Sequence, residues 1–318
     1  MKRIGALVLA AVMVAAAFAA RGSFGGDDED EAAGGGDPQP VGIVCASDLA
    51  DVCAAAGVQI AGEPQAGDTA DALIAARDTA DLGGAAWLTT SAWASLVEDE
   101  RRRIGAEPLF AVAGGTLASS PVLLAVWTNR AEQLADRCGL PSGTMPGWRC
   151  MIQEAGTALA AGDRVQVAGP EIDSAAGLVV AASQSVGFFG GTDFSLADFE
   201  TQGFRSGAAE LSRRTTDDAL RRMRAEGPGQ LTATGALRVD AGNLSSNLGT
   251  IVASQAEPEV RADVVLVVPP GTDVPEDERA ALTDALLAAG WDPPADGPAG
   301  LPSGGVLAAI RTLWTQNR

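Results

Sequence analysis

The chain has 318 residues, 47% of them apolar and 20% charged, enough for two or three ordinary domains with a sizeable core. It contains no histidine, no tyrosine and a single lysine, Lys2, which removes Ser-His-Asp and Cys-His catalysis, Schiff-base chemistry and histidine-ligated metals. With 22 Lys+Arg against 41 Asp+Glu the net charge is −19, which opposes docking on nucleic acid or an anionic bilayer.

Lys2 and Arg3 precede an apolar run from Ile4 to Ala20, and Ala17-Phe18-Ala19 offers small residues at the spacing a signal peptidase reads, so residues 1–20 are expected to be an export signal. Retention as an anchor is the alternative, but 17 alanine-rich residues are short and weakly apolar for a stable span. The stretch from Phe18 to Ser23 resembles a bacterial lipoprotein box, with Arg21 where the lipidated cysteine would stand. Residues 21–40 are Gly-rich and acidic and read as a solvated tether, with folded structure beginning near Val41. The protein is therefore expected outside the cytoplasm, at the cell surface or beyond it.

Val41 to Cys45 reads as a strand, followed by a turn at Ala46-Ser47-Asp48 and a helix through Leu49, Val52 and Cys53 that Gly57 stops. Asp68 or Thr69 is expected to cap a helix containing Leu73 and Ile74. Ala85 to Leu88 is a strand, Thr89-Thr90-Ser91 a capping cluster, and Trp93 to Glu100 a helix ending in three arginines. Leu109 to Ala113 reads as a strand broken by Gly114-Gly115, and Pro121 to Trp127 as another. Val165 to Ala168 is a strand leading to a helix capped by Ser174. Leu211 to Arg224 reads as a polar helix, Leu231 to Val239 and Val264 to Val268 as strands, and Pro275 to Ala289 and Gly304 to Trp314 as helices. This alternation predicts α/β layers around a largely parallel sheet.

Four cysteines in an exported chain point to disulfides, and three pairings are possible. Cys45 with Cys53 and Cys138 with Cys150 is favoured, the second pair closing a loop rich in Gly and Pro. A zinc site built from all four thiolates is the rival, although the usual short Cys knuckles are absent. Trp87 and Trp93 read as core residues, and the arginines at 213, 214, 221, 222 and 224 as a solvated face.

The succession of Val41 to Val52, Ala85 to Trp93, Ser120 to Trp127, Gly169 to Ala182 and Ala262 to Pro270 resembles the type II periplasmic-binding proteins, the solute-binding components of ABC importers. SPVLLAVWTNRAEQL looks like that family's crossing strand and following helix. The resemblance implies a two-lobed α/β fold with an interlobe cleft, lobe 1 being residues 41–121 and 262–318, and lobe 2 residues 122–261. It implies a non-enzymatic monomer, without cofactor, that captures a small polar or oxyanion solute and presents it to a membrane permease. Ser47, Thr90, Ser91 and Ser174 then stand where strand ends become helix starts and are the expected ligand-binding residues, each reading equally as a plain N-cap. Asp48 and Asp173 lie beside two of them; facing a cleft they would repel an anion. The alternatives are a cell-surface interaction or sensory module whose cleft is filled by its own side chains, and a two-carboxylate glycan hydrolase.

Overall fold

β1 (Ile43–Cys45) is fully buried and leads through a 3-10 turn at Ser47–Leu49 into α1 (Ala50–Ala56), which Gly57 ends in the left-handed conformation. β2 (Ile60–Gly62), α2 (Ala66–Ala75), β3 (Ala86–Thr90) and α3 (Ser91–Arg103) continue the alternation. β4 (Ala111–Trp127) is followed by α4 (Thr128–Arg137), α5 (Trp148–Glu154), β5 (Val167–Ala168) and α6 (Ala175–Phe189). Then come α7 (Gln202–Ser212), α8 (Ala219–Glu226), β6 (Ala233–Leu237), α9 (Arg238–Gly242), β7 (Ile251–Gln255), β8 (Arg261–Val268), α10 (Glu276–Ala288) and α11 (Gly304–Gln316). The computed structural model describes residues 42–78, 85–159, 163–242 and 251–317; the expected signal segment and acidic tether lie outside them. No helix among the described residues is long and apolar enough to cross a membrane.

The strands run in the order β2-β1-β3-β8-β4-β6-β5, with β7 also on β4. β1 is parallel to β2 and β3, and β5 to β6. The expectation of a largely parallel sheet fails at its centre, where β8 returns between β3 and β4 antiparallel to both, and β6 and β7 are antiparallel to β4. Helical crossovers supply only the outer pairings; the central strands enter from opposite ends.

β4 corrects a second expectation. Gly114-Gly115 does not end a strand but bulges within one of 17 residues, both glycines at positive φ, where the register with β8 shifts between Val112 and Thr116. The strand changes partners along its length: up to Pro121 it pairs with β8, and from Val122 onward with β6 and β7. Pro121, which has no N–H to give, lies opposite Arg261 at this changeover, and the next amide, Val122 N–H, donates to Val260 O at 2.8 Å. Two half-sheets thus share one continuous strand, with β7 and β8 returning alongside it.

The remaining differences have local causes. The polar helix expected over Leu211 to Arg224 is two helices, because Thr215 and Thr216 turn aside to bond Glu171 and Gly169, and the Asp218 carboxylate restarts the helix by accepting from Arg221 N–H at 2.8 Å. α2 begins at Ala66 after Gln65, ahead of Asp68 and Thr69. Leu231 to Val239 is strand only from Ala233 to Leu237, and Val165 lies outside the two-residue β5.

Both favoured disulfides are present, Cys45–Cys53 joining β1 to α1 and Cys138–Cys150 joining the end of α4 to α5. No thiolate is left for zinc. Each closes a short loop and contributes about 2 to 3 kcal/mol by restricting the unfolded chain. Trp87 and Trp93 are buried, at 3% and 0% exposure, as a core reading requires. The last helix joins the two halves: α11 packs on α3 of the first and on α6 and α7 of the second, with the Trp314 ring 6.1 Å from Phe204 in a cluster of phenylalanines.

Candidate functional site

A groove of about 600 Å³ lies where the two halves face each other. From the first half it takes Ser47, Asp48 and Asp51 in the turn after β1 and the start of α1, with Trp291 just beyond α10. The second half contributes Ser174 to Ala176 at the start of α6, Asp217 before α8, and Asp240 in α9. A smaller recess of about 250 Å³, lined by Asp217, Asp218, Arg221 and Asp240, lies beside it. The larger groove has four carboxylates in its walls and no Arg or Lys.

Each acid has a distinct setting. Asp48 keeps part of its surface open to the groove, yet its Oδ1 accepts from Ala175 N–H at 3.1 Å and its Oδ2 from Ala176 N–H at 3.0 Å. Desolvation by the surrounding protein raises its pKa; those two amides pull the other way, and Asp217 adds repulsion. Asp240 accepts from Leu237 N–H at 3.2 Å. Desolvation pushes its pKa up to about 6 against that bond, with further repulsion from Asp48 and Asp218.

The expected ligand residues separate into two groups. Ser47 and Ser174 line the groove. Ser174 is also a working N-cap, its Oγ accepting from Gly177 N–H at 2.9 Å and donating to Glu171 O at 2.8 Å. Thr90 and Ser91 do not line it. Thr90 is fully buried and donates to Ala175 O at 3.2 Å, and the Ser91 Oγ is buried without a partner at the start of α3. Thr90 thus belongs to the contact between the halves rather than to the cavity.

That contact is made by the segment Asp173 to Ala176. Trp93 Nε1 donates to Ser174 O at 2.9 Å, and Gly67 N–H to Asp173 O at 2.8 Å. Arg311 of α11 donates through Nε to Asp173 at 2.8 Å and through its two terminal nitrogens to Asp71, with its guanidinium 5.1 Å from the Trp93 ring centre. Gly67 is required here, since a Cβ would come within 2.6 Å of the Asp173 carboxylate. Sequence reasoning missed Asp217, Asp240, Trp291 and Arg311 as groove or closure residues. The one usable signal was Asp217-Asp218, two acids amid arginines that they do not fully neutralise.

No protein-family model matches the chain, and no curated protein matches it. Solved structures do. Iron-bound HitA from Pseudomonas aeruginosa superposes with a TM-score of 0.52 at 11% identity, over 88% of this chain and 99% of that one. AfuA from Actinobacillus pleuropneumoniae, with exogenous fructose-6-phosphate bound, gives 0.51 at 11% identity over 88% and 98%. A periplasmic thiamin binding protein gives 0.50 at 11% identity over 87% and 95%. The fold is therefore the two-lobed α/β fold of the type II periplasmic-binding proteins, and the groove occupies the space between its lobes.

Proposed function

We propose that this exported protein captures a small solute in the groove between its lobes, without chemical change, and delivers it to an ABC-type permease. The lobes are residues 41–121 with 262–318, and residues 122–261. The solute class follows from the groove's charge, the observation that carries the reading: Asp48, Asp51, Asp217 and Asp240 in the walls, with no cationic side chain to balance them. An oxyanion would meet repulsion from those walls, Arg221 lying only in the adjoining recess, whereas an organic cation gains attraction in a partly desolvated space and an aromatic wall in Trp291. A small amine or quaternary ammonium compound fits best.

Calorimetric titration of the whole protein against ammonium solutes and oxyanions tests this. Saturable binding of at least one cation is expected, weakened by salt and weakened again between pH 7.5 and pH 5, because Asp240, with a pKa of about 6, loses its charge over that interval. Asp217→Asn is expected to weaken the same cation. Saturable binding of sulfate or phosphate, with no response to cations, would reject the reading.

A second reading, an interaction or sensory module that takes no transported solute, draws support from the hydrogen bonds that Asp173 to Ala176 make directly across the lobes. A cleft inert to every solute class would favour it.

A further inference from the structure

α6 is a 15-residue helix whose N-terminus faces the opposite lobe. The first amides of any helix lack intrahelical acceptors and carry partial positive charge, which makes such an end a natural seat for an anion. Here the seat is taken by the chain itself. Ala175 and Ala176 N–H donate to the two oxygens of Asp48, and Gly177 N–H donates to Ser174. Asp48 arrives from 127 positions away in sequence, on the 3-10 turn that follows β1. It bridges the lobes in the bidentate manner of a bound carboxylate or other oxyanion.

We propose that Asp48 is a built-in counter-anion: it fills the anion seat at the start of α6, draws the lobes together without an anionic solute, and so bars oxyanions from the groove. The proposal rests on reading the groove as a solute site. It assigns Asp48 a role in selectivity rather than in gripping the solute, and it explains how the amide donors of the α6 end coexist with acidic walls. Around it, Trp93, Thr90 and Gly67 hold the same segment, so loss of Asp48 leaves the seat formed but empty.

The experiment is chemical rescue. Asp48→Ala is expected to lower the thermal midpoint by several degrees. Formate, acetate and sulfate are expected to restore it in a saturable way, while chloride at equal ionic strength does not and wild type shows no saturable response. Asp51→Ala, on the same groove wall without a partner in α6, is the control and is expected to gain no anion response. An Asp48→Ala protein as stable as wild type, or one indifferent to oxyanions, overturns the proposal, as does wild type that itself binds oxyanions saturably. If Asp48→Ala does not fold, Asp48→Asn decides, because its neutral amide fills the space but offers one acceptor oxygen. A lower midpoint than wild type supports the proposal, and a midpoint equal to wild type overturns it. The solute reading is judged separately: cation titration of wild type can fail while rescue of Asp48→Ala succeeds, and the reverse.

Discussion

Arg101 illustrates how one side chain can organise a turn that no local pattern announces. In the sequence it is the first of three arginines closing α3, a position that ordinarily serves only the helix dipole. Arg102 and Arg103 do just that, pairing with Glu98, Asp99 and Glu100 at the surface, where such pairs contribute tenths of a kcal/mol. Arg101 instead is 2% exposed and donates to Leu73 O, Ile74 O and Ala76 O at the end of α2, and twice to Glu107 O. Replacing it with Ala leaves those carbonyls short of donors and opens a void, an expected loss of about 2 to 4 kcal/mol in denaturant unfolding. Lys recovers only part of this, having neither the planar fork nor five donors. Asp48 is illegible for a similar reason: its chemistry was visible, but its partners sit 127 residues on, and spacing carries no information over that distance. Ser174 was legible as an N-cap because that role is local, from Glu171 to Gly177.

At the scale of elements, legibility followed hydrophobic period and punctuation. α6, α10 and α11 were readable because their apolar positions recur along a full helix and a serine or proline marks each start. β4 was not, because Gly-Gly ordinarily punctuates a chain, and only pairing with β8 on one side makes a bulge cheaper than a break there. Packing of α11 shows how finely such elements are seated. A Cβ on Gly304 would lie 2.0 Å from Ser95 O, whereas one on Gly305 would meet nothing within 4 Å. Gly304→Ala is therefore expected to destabilise by about 1 to 3 kcal/mol through overpacking against α3. Gly305→Ala, one position along, is expected to be neutral or to stabilise by up to about 1 kcal/mol, since alanine is the better helix former. Chemical denaturation of the two variants side by side reads the difference directly.

For the molecule as a whole, charge and connectivity act together. Composition alone indicated an acidic protein, but only the fold shows that Asp48, Asp51, Asp217 and Asp240, far apart in sequence, line one groove where the lobes meet. The lobes are joined by β4 and the β7 to β8 return lying side by side, with Pro121 opposite Arg261 at the changeover. Arg261 donates to Asp263 at 2.9 Å, Ser119 donates to the same carboxylate at 2.7 Å, and all three side chains are buried. Such a joint is stiff in its own plane and bends most readily about one axis. Away from this joint, Arg311 bonds Asp71 of the first lobe and Asp173 of the second, and Trp314 packs on Phe204.

Those two attachments have a kinetic consequence. If the proposed capture requires the lobes to part, Arg311 must first release Asp173 and Trp314 must leave Phe204, and the opening of these contacts rather than diffusion then sets the rate. Stopped-flow mixing is expected to give an observed rate that levels off as solute concentration climbs, and Arg311→Ala is expected to lift that plateau while shortening the residence time of whatever is held inside.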